Sequence, residues 1–223
     1  MLKHMTIEHT SSYIHVKLDT PCRTLSSAVL NGGLAEADHL LNLKVPASAP
    51  TDSPAEDTLL KFSQNKSWQG TVVGMMTAAS MDSYRIRTQQ INGVDMAVLL
   101  TTGISNPRRA GDRAEFRELT AGPGEAGTIN IIALTSAAMT DAALAEALMI
   151  ITEAKAAVLQ EANITSPVSG KTATGTGTDS TAVVCGNHNP VIRYCGKHVI
   201  AGEIIGRLVI EALTSSLKWY RKA

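Results

Sequence analysis

The dipeptide Asn92–Gly93 separates two segments that each have the pattern of a β-strand. Residues 83–90 alternate between polar and apolar side chains, and residues 94–101 are mostly apolar. An Asn-Gly pair between two such segments is the strongest short-range signal of a β-hairpin, because the tight turn needs residues that tolerate positive φ angles. The strands of a hairpin are antiparallel. The fold is therefore not built only from parallel β-α-β units.

Five further segments have the composition of strands: residues 13–18, 24–30, 41–45, 71–77 and 128–134. Two long helices are predicted, one over residues 141–161 with Thr140 as its N-cap and one over about residues 198–218. A shorter helix is predicted to begin at Pro54, with Ser53 as its N-cap.

The order of these elements predicts an α+β fold with a largely antiparallel or mixed β-sheet, or two such sheets. The two long helices, over about residues 141–161 and 198–218, are expected to pack on one face of the sheet. An αββα layered arrangement is compatible with this order. A Pro-rich segment, PASAPTDSP, spans residues 46–54, and the residues before it are too few to bury a core alone, so we expect residues 1–223 to form a single domain.

The charge balance and the composition exclude several classes of protein. The chain has 20 Lys and Arg residues against 20 Asp and Glu residues, so its formal net charge is zero. Affinity for nucleic acid depends mostly on neutralising phosphates, and only 4% of the residues are aromatic, so we expect no nucleic-acid partner. Hydrophobic residues make up 44% of the chain, which is too many for a disordered protein.

The sequence predicts neither secretion nor a membrane partner. The first residues lack the apolar core of a signal peptide, and no segment approaches the ~18 uninterrupted apolar residues of a membrane-spanning helix. The three cysteines, Cys22, Cys185 and Cys195, cannot all pair, and none has CxxC spacing. We expect reduced thiols that act as small buried apolar side chains in a cytoplasmic protein.

Residues 172–180, TATGTGTDS, interleave hydroxyl side chains with glycines. If this segment is extended, one face carries its four threonines: Thr172, Thr174, Thr176 and Thr178. Such a face, next to Gly175 and Gly177, suits recognition of a polar ligand by hydrogen bonds and close backbone approach. Two alternatives stay open. The glycines could form a phosphate-binding loop, although the Lys of GxxxxGK[ST] is absent, or they could mark a bulge in a Thr-rich edge strand.

The segment GKHVIAGEIIG, residues 196–206, places a histidine at the predicted start of the second long helix. On a helix, one face would carry four residues: His198, Gly202, Gly206 and Val209. The positive end of the helix dipole disfavours a protonated imidazole, so His198 could stay neutral and act as a base. Alternatively, the glycines allow close helix packing and the histidine only bonds to a loop. Glu203 is spaced for a solvated ion-pair face with Arg207 and Glu211.

Three further places carry polar side chains that suit a binding site. Lys155 falls on the apolar stripe of the first long helix, where a lysine either extends to solvent or pairs with an acid. The predicted loop at residues 101–112 contains Asn106 and Arg108, and its adjacent arginines either hold a carboxylate or phosphate or form a solvated surface pair. Asn130 lies at the start of a predicted strand.

Several segments occur together in an order that is typical of one family. They are GTVVGMMTAASM at 70–81, TTGISNPRRAGD at 101–112, GTINII at 127–132, ALMIITEAKAAVL at 147–159, TATGTGTDS at 172–180 and GKHVIAGEIIG at 196–206. With the NGG turn at residues 31–33, this ordered set resembles the adenosylcobinamide amidohydrolase family. The resemblance covers most of the chain from about residue 25 onward.

The resemblance implies an enzyme of corrinoid salvage. Such an enzyme hydrolyses the amide between the aminopropanol arm and the corrin ring of adenosylcobinamide, or of its phosphate, and gives adenosylcobyric acid. The implied partner is therefore a small-molecule corrinoid, and self-association into a homo-oligomer is left open. The cobalt belongs to the substrate, and because the chain shows no metal-ligand spacing, we expect no other metal or cofactor.

The resemblance also favours a functional role for the polar side chains described above. A corrin ring is wide, flat and edged with amide arms, so its site needs small hydroxyl and backbone partners. We expect substrate contacts from one set of residues: Thr77, Asn106, Arg108, Asn130, Thr174, Gly175, Gly177 and Glu203. We expect the chemistry from a second set: Lys155, Thr176, Thr178, Asp179 and His198.

In this hypothesis, His198 or Asp179 activates water as the general base. Lys155 pairs with Asp179 or contacts a substrate carbonyl, and Lys155 or Arg108 polarises the scissile carbonyl. The developing oxyanion is held by backbone N–H groups and by three side chains: Thr176, Thr178 and Asn130.

Two alternatives are retained. A threonine of the TGTGTD segment could be the nucleophile after self-cleavage, because Thr nucleophiles use a freed N-terminal amine as their base. The protein could instead bind or carry a corrinoid without changing it.

Overall fold

The structure, a computed structural model, describes residues 5–46, 54–115 and 128–221. Ser53, predicted as an N-cap, lies outside these ranges. In chain order the strands are β1 (Met5–His9), β2 (Tyr13–Ser26), β3 (Gly33–Lys44), β4 (Val72–Thr77), β5 (Arg85–Ile91), β6 (Val94–Thr102), β7 (Pro107–Arg108), β8 (Ile129–Met139), β9 (Gly175–Thr176) and β10 (Ser180–Ile192). The helices are α1 (Ala55–Asn65), α2 (Asp141–Glu161) and α3 (Ile200–Tyr220), and one turn of 3-10 helix spans Met81–Ser83.

Eight of these strands form one mixed sheet. Their order is β4-β3-β2-β10-β8-β6-β5, and β1 pairs with β2 outside this path. β8 and β10 are parallel neighbours joined through α2, and β3 and β4 are also parallel, whereas the other pairs of this sheet are antiparallel. β5 and β6 pair around Asn92 and Gly93, whose φ angles are 49° and 77°. The predicted hairpin and the predicted mixed sheet are therefore confirmed.

The sheet folds back so that its two halves face each other. One apolar cluster contains side chains from both halves: Leu40 (β3), Val73 (β4), Leu99 (β6), Ile132 (β8) and Val184 (β10). β4, β3 and β2 therefore form one layer, and β10, β8, β6 and β5 form the other. Helices α2 and α3 cover the outer face of the second layer, and α1 covers the outer face of the first. This αββα arrangement, with the two long helices on one face, agrees with the sequence.

Helix α2 has a capped start and an apolar face that contains one lysine. The Thr140 hydroxyl accepts a hydrogen bond from the backbone N–H of Ala143, as predicted. The face that packs on the sheet includes Leu144 and Ile151, and Lys155 lies within it at 7% exposure. The helix therefore carries a buried cation towards the sheet.

Helix α3 begins at Ile200, so His198 lies in the turn before the helix and not on it. Val199 is the N-cap residue and has an extended backbone. The preceding turn packs tightly on the first turn of the helix, because a Cβ added at Gly202 would lie 2.2 Å from the carbonyl oxygen of Gly196. Gly202 thus serves close packing, which was the structural alternative for this segment.

Strands β2 and β3 are longer than the sequence predicts. β2 runs through two segments that were expected to be separate strands, because an irregularity in its register between Lys17 and Cys22 lets it continue. β3 begins at Gly33 instead of residue 41. Its first half carries exposed polar side chains such as Glu36, so an apolar pattern does not predict this part of the strand.

None of the helices among the described residues is long and apolar enough to cross a membrane. The three cysteines are free thiols. Cys185 and Cys195 are buried, as expected of small apolar side chains, whereas Cys22 is only partly buried. Burial raises the pKa of Cys195 to about 11 and also raises the pKa of Cys22. Both thiols are therefore protonated and weakly nucleophilic near neutral pH.

Candidate active site

The Thr- and Gly-rich segment does not form one extended face. Only Gly175 and Thr176 form a strand, β9, which pairs with β7 in a two-stranded ribbon. The chain turns at residues 177–178, and β10 begins at Ser180. The interpretation with four threonines on one extended face is therefore wrong. The reason is Asp179, whose carboxylate bonds back to Thr176 and closes the turn.

The Asp179 carboxylate accepts four hydrogen bonds. Its Oδ1 accepts from the Thr176 hydroxyl at 2.5 Å and from the backbone N–H of Ile129 at 2.9 Å. Its Oδ2 accepts from the backbone N–H of Thr176 at 3.0 Å and from Lys155 Nζ at 2.5 Å. A carboxylate has about four lone-pair sites, so these bonds occupy it. Asp179 therefore fastens the turn both to β8 and to α2.

Lys155 and Asp179 form a buried ion pair. Their side chains are 9% and 10% exposed. Charged side chains are seldom buried unless they are paired, because each charge would otherwise lose its hydration without compensation. The lysine on the apolar stripe therefore pairs with an acid and does not extend to solvent.

The two glycines of the turn allow close approach of neighbouring groups. A Cβ added at Gly175 would lie 2.4 Å from Asp179 Oδ2 and 3.2 Å from Lys155 Nζ. A Cβ added at Gly177 would lie 3.1 Å from Asn106 Nδ2. Gly175 is thus explained by the ion pair that it contacts, and Gly177 by the approach of Asn106. The contact of either glycine with substrate stays a prediction.

More polar side chains surround the same turn. Thr178 Oγ1 lies 2.8 Å from Thr128 Oγ1, which joins the turn to the residue before β8. Arg108 belongs to β7, the partner strand of β9, and its side chain forms an ion pair with Glu115 while remaining 24% exposed. Hydroxyl and amide groups therefore meet at this turn, the Arg108 side chain passes beside it, and its exposed residue is Gly177.

Two threonines expected to contact substrate hold neighbouring loops. The Thr174 hydroxyl accepts from the backbone N–H of Ala110 at 2.8 Å. Thr77 is 1% exposed, and its hydroxyl accepts from the backbone N–H of Ala79 at 3.0 Å. The substrate contacts of Thr174 and Thr77 stay predictions.

A buried pair of amides joins the two sheet layers beside the turn. Asn42 of β3 and Asn130 of β8 are 2% and 1% exposed, and Asn130 Nδ2 donates to Asn42 Oδ1 at 2.8 Å. Asn130 Nδ2 also donates to the carbonyl of Met76 at 2.9 Å, and Asn130 Oδ1 accepts from the backbone N–H of Ser180 at 3.2 Å. Asn42 Nδ2 donates to Thr101 Oγ1 at 2.8 Å. Asn130 is therefore enclosed by protein groups, and its role at an oxyanion stays a prediction.

Asn42 and Thr128 belong to these contacts but were not predicted as site residues from the sequence. Asn42 interrupts the apolar run of residues 40–43, LLNL, and a polar residue in such a run indicates a buried hydrogen bond. Thr128 stands between a glycine and a buried strand, where nothing in the local pattern distinguishes it.

Two predicted residues lie outside this group of contacts. His198 is exposed and makes no hydrogen bond or ion pair with any residue that the structure describes. Glu203 is exposed on the first turn of α3, and the predicted ion pair on this helix forms between Arg207 and Glu211 at 2.9 Å. The structure therefore does not bring His198 or Glu203 to Asp179 by any direct contact, and the roles of both residues stay predictions.

Within residues 5–46, 54–115 and 128–221, no three His, Cys, Asp or Glu side chains come together as a possible metal site. The expectation that the protein needs no metal or cofactor of its own stays a prediction.

Comparisons with known proteins place the chain in a family. The whole chain, residues 1–223, matches the family described as adenosylcobinamide amidohydrolase. An uncharacterized protein of Methanocaldococcus jannaschii is 37% identical over 157 residues, which are 62% of this chain and 61% of that protein. An adenosylcobinamide amidohydrolase of Methanosarcina mazei is 29% identical over 201 residues, which are 86% of this chain and 88% of that protein.

Two solved structures resemble the fold more distantly. The PH0078 protein of Pyrococcus horikoshii OT3 aligns with a TM-score of 0.44 and 14% identity over 96% of this chain and 83% of that chain. A β-aminopeptidase of Burkholderia sp. aligns with a TM-score of 0.42 and 11% identity over 92% of this chain and 77% of that chain.

The family match shows an enzyme that hydrolyses an amide. The chain belongs to the adenosylcobinamide amidohydrolase family, and the resemblance drawn from its ordered motifs is confirmed.

Proposed function

We propose that the protein hydrolyses the amide bond that joins the aminopropanol arm to the corrin ring of adenosylcobinamide or of its phosphate. Water adds across the C–N bond. The ring side arm becomes a carboxylic acid, which gives adenosylcobyric acid, and the other fragment leaves as aminopropanol or its phosphate. The match of the whole chain to the family and the name of the Methanosarcina mazei relative support this reaction.

The observation that carries the assignment of the site is the buried Lys155–Asp179 pair. It fixes a turn that presents threonine hydroxyls and a glycine backbone, and an amide substrate needs hydrogen-bond partners of this small kind. Because four donors occupy its carboxylate, Asp179 is proposed to position the turn and to receive a proton only through the Thr176 hydroxyl, and not directly from water. Lys155 supplies the positive charge that compensates this buried carboxylate.

Thr176 is proposed to hold the attacking water. Its hydroxyl donates to Asp179 Oδ1 at 2.5 Å, and a hydroxyl that donates to a carboxylate becomes a better acceptor at its own oxygen. The side chain is partly exposed, so solvent reaches it. A water that donates to Thr176 Oγ1 is thereby oriented with a lone pair towards the substrate carbonyl. As this water attacks, its proton passes to Thr176 Oγ1 while the Thr176 hydroxyl proton passes to Asp179 Oδ1, and the reverse transfer delivers a proton to the leaving amine.

The oxyanion is proposed to form beside the other end of the turn. The Thr178 hydroxyl and the backbone N–H of Gly177 belong to adjacent residues, and Gly177 is exposed. Donors fixed before the reaction stabilise developing charge better than mobile water does, because they need no reorganisation.

The test is incubation of the purified protein with adenosylcobinamide, followed by chromatography with mass detection. We expect wild type to form adenosylcobyric acid and Thr176→Val to lose about 100-fold in kcat. The matched control is Arg207→Ala, which removes an exposed ion pair on α3 and keeps the wild-type rate. No product from folded, monodisperse wild type would overturn the proposal. A corrinoid that is bound tightly and returned unchanged would establish the carrier alternative instead.

An intact-mass measurement decides whether a threonine acts after self-cleavage. Our proposal uses the uncut chain, in which the Thr176 backbone N–H is a peptide donor to Asp179. We expect a single species of 23.6 kDa in the active preparation. Two fragments that meet within residues 172–180, and that carry all of the activity, would establish the self-processed alternative.

A further inference from the structure

We infer that Asn42, on the opposite sheet layer, is a positioning residue for the hydrolysis, because it fixes the Asn130 amide that holds β10 next to Asp179. The consequence for turnover rests on the proposed function. The consequence for the geometry of β10 does not, and it can be measured without substrate.

The contacts of Asn130 leave one orientation for its amide. Its Nδ2 has two N–H groups, and these donate to Asn42 Oδ1 at 2.8 Å and to the carbonyl of Met76 at 2.9 Å. A carbonyl only accepts hydrogen bonds, so the Met76 contact fixes which end of the amide carries nitrogen. The oxygen then faces the backbone N–H of Ser180, which only donates.

Asn42 completes this arrangement from the other layer. Its Oδ1 is the acceptor for one N–H of Asn130, and its Nδ2 donates to Thr101 Oγ1 at 2.8 Å, so its own amide is oriented as well. Asn130 is 1% exposed, and without the Asn42 side chain it keeps a buried N–H that lacks this partner. A buried donor without a partner is unfavourable, so the Asn130 amide reorients or admits water.

Asn130 is paired in register with the strand that carries the site. β8 and β10 are parallel, with Asn130 opposite Ser180, and Ser180 directly follows Asp179. The residue before Asn130, Ile129, donates its backbone N–H to Asp179 Oδ1. Loss of the Asn130–Ser180 bond therefore loosens both strand ends that hold the Asp179 carboxylate.

The experiment compares Asn42→Ala with a control on the same strand. His39 is buried at 4% exposure and hydrogen-bonded, but it lies three residues away and faces α1 instead of β8. His39→Ala therefore removes a buried polar side chain without touching the Asn130 amide. Amide hydrogen exchange followed by NMR reports on the backbone N–H groups of Ser180 and Ile129, and steady-state kinetics report kcat and KM.

We expect Asn42→Ala to raise the exchange rate of the Ser180 amide by about tenfold and to lower kcat by about tenfold, with KM within about twofold of wild type. Asn42→Asp keeps an oxygen acceptor for Asn130, so its Ser180 exchange rate and its kcat should each differ from wild type by only about threefold. His39→Ala should leave the Ser180 exchange rate and kcat within about twofold of wild type.

A folded Asn42→Ala with wild-type exchange at Ser180, or an equal effect of His39→Ala, overturns the inference. If Asn42→Ala does not fold, Asn42→Asp and Asn42→Ser are compared in its place, with the larger effect expected for the serine because its side chain is shorter. Failure of wild type to hydrolyse adenosylcobinamide overturns the proposed function, while the exchange measurement still decides whether Asn42 holds Ser180.

Discussion

Lys155 Nζ lies 2.5 Å from Asp179 Oδ2, and the two side chains are 9% and 10% exposed. The lysine comes from α2, which covers the outer face of the sheet, and the aspartate directly precedes β10. One ion pair therefore joins the helical layer to the turn that carries the site. Both partners are removed from water, so each depends on the other for charge compensation.

Removal of one partner of this pair should be more harmful than removal of both. Lys155→Met leaves the Asp179 carboxylate buried without its cation, and Asp179→Asn leaves a buried lysine without its anion. We expect each single variant to lose about 3–5 kcal/mol in the free energy of unfolding, measured by urea titration. The double variant should lose clearly less than the sum, because it contains no unpaired charge. Additive losses would show that the two charges do not interact in the folded protein.

Gly175 should not tolerate a methyl group. A Cβ at this position would lie 2.4 Å from Asp179 Oδ2, so Gly175→Ala should displace the carboxylate and lower kcat by about tenfold or more. The matched control is Gly196→Ala, since a Cβ there meets no atom of the described chain within 4 Å. Steady-state kinetics and urea titration of both variants make the comparison. Equal behaviour of the two variants would contradict the close packing of Gly175 on the ion pair.

The hydroxyl of Thr176 and its methyl group can be separated by two substitutions. Thr176→Ser keeps the hydroxyl that donates to Asp179, so kcat should stay within about fivefold of wild type. Thr176→Val keeps the volume and removes the hydroxyl, so kcat should fall by about 100-fold. A valine variant with the wild-type rate would exclude any contact between this hydroxyl and the reacting groups.

His198 tests a rival source of the general base. Because this side chain is exposed and has no polar contact within the described chain, we expect His198→Gln to keep kcat within about threefold of wild type. The pH profile of kcat should also be unchanged in this variant. A large loss of kcat, together with loss of the acid limb of the profile, would establish His198 as the base and displace the Thr176-centred account.

A second buried cluster, between β2, β3 and the segment after α1, makes stability depend on pH. His15 Nε2 lies 3.0 Å from His39 Nδ1, and His39 Nε2 lies 2.9 Å from the carbonyl of Gln69. A carbonyl only accepts, so His39 Nε2 donates to the Gln69 carbonyl, and the other ring nitrogen of His39 shares a hydrogen bond with His15 Nε2. The Trp68 ring stacks on His15 with centroids 3.7 Å apart. The His15 imidazole is therefore enclosed between His39 and the Trp68 ring.

Burial, and then the neighbouring His39, lower the pKa of His15 from 6.5 to about 4. As the pH falls below 6.5, His15 becomes protonated in the unfolded chain, whereas in the folded chain it becomes protonated only near pH 4. The stability contributed by neutral His15 is therefore fully present above pH 6.5 and is lost as the pH falls towards 4. The loss attributable to His15 should reach about 2 kcal/mol at about pH 5.

Urea titrations at about pH 7.5 and about pH 5 measure this effect. His15→Gln removes the titrating group and retains a side-chain N–H donor, so its loss of stability between the two values should be smaller than that of wild type by about 2 kcal/mol. His198→Gln, which removes an exposed histidine, should behave like wild type. Equal pH dependence in wild type and His15→Gln would contradict the lowered pKa of the buried His15 imidazole.

Local patterns were sufficient for much of the fold. The Asn92–Gly93 turn, the Thr140 cap and the apolar stripe of α2 all depend on residues close together in the chain, and the structure confirms each of them. Helix α3 was predicted to begin at about His198, but it begins two residues later, at Ile200. The turn before it, at Gly196, packs on Gly202, and such packing is not visible in the local sequence.

The site depends on contacts that local patterns do not show. Lys155 could be recognised as unusual on an apolar stripe, but its partner lies 24 residues further along the chain. Asn42 and Asn130 are separated by 88 residues, and they meet only because the sheet folds back on itself. The turn closed by Asp179 could not be predicted either, because alternating threonines and glycines are compatible with both a strand and a turn.

Hydrolysis of adenosylcobinamide in water enriched in oxygen-18 tests the central claim most directly. The account predicts that wild type forms adenosylcobyric acid with one labelled oxygen in its new carboxyl group, while the released aminopropanol carries no label. It also predicts that Lys155→Met, if folded, forms this product at least about 100-fold more slowly. Folded wild type that forms no labelled adenosylcobyric acid, or a Lys155→Met variant with the wild-type rate, would contradict the account.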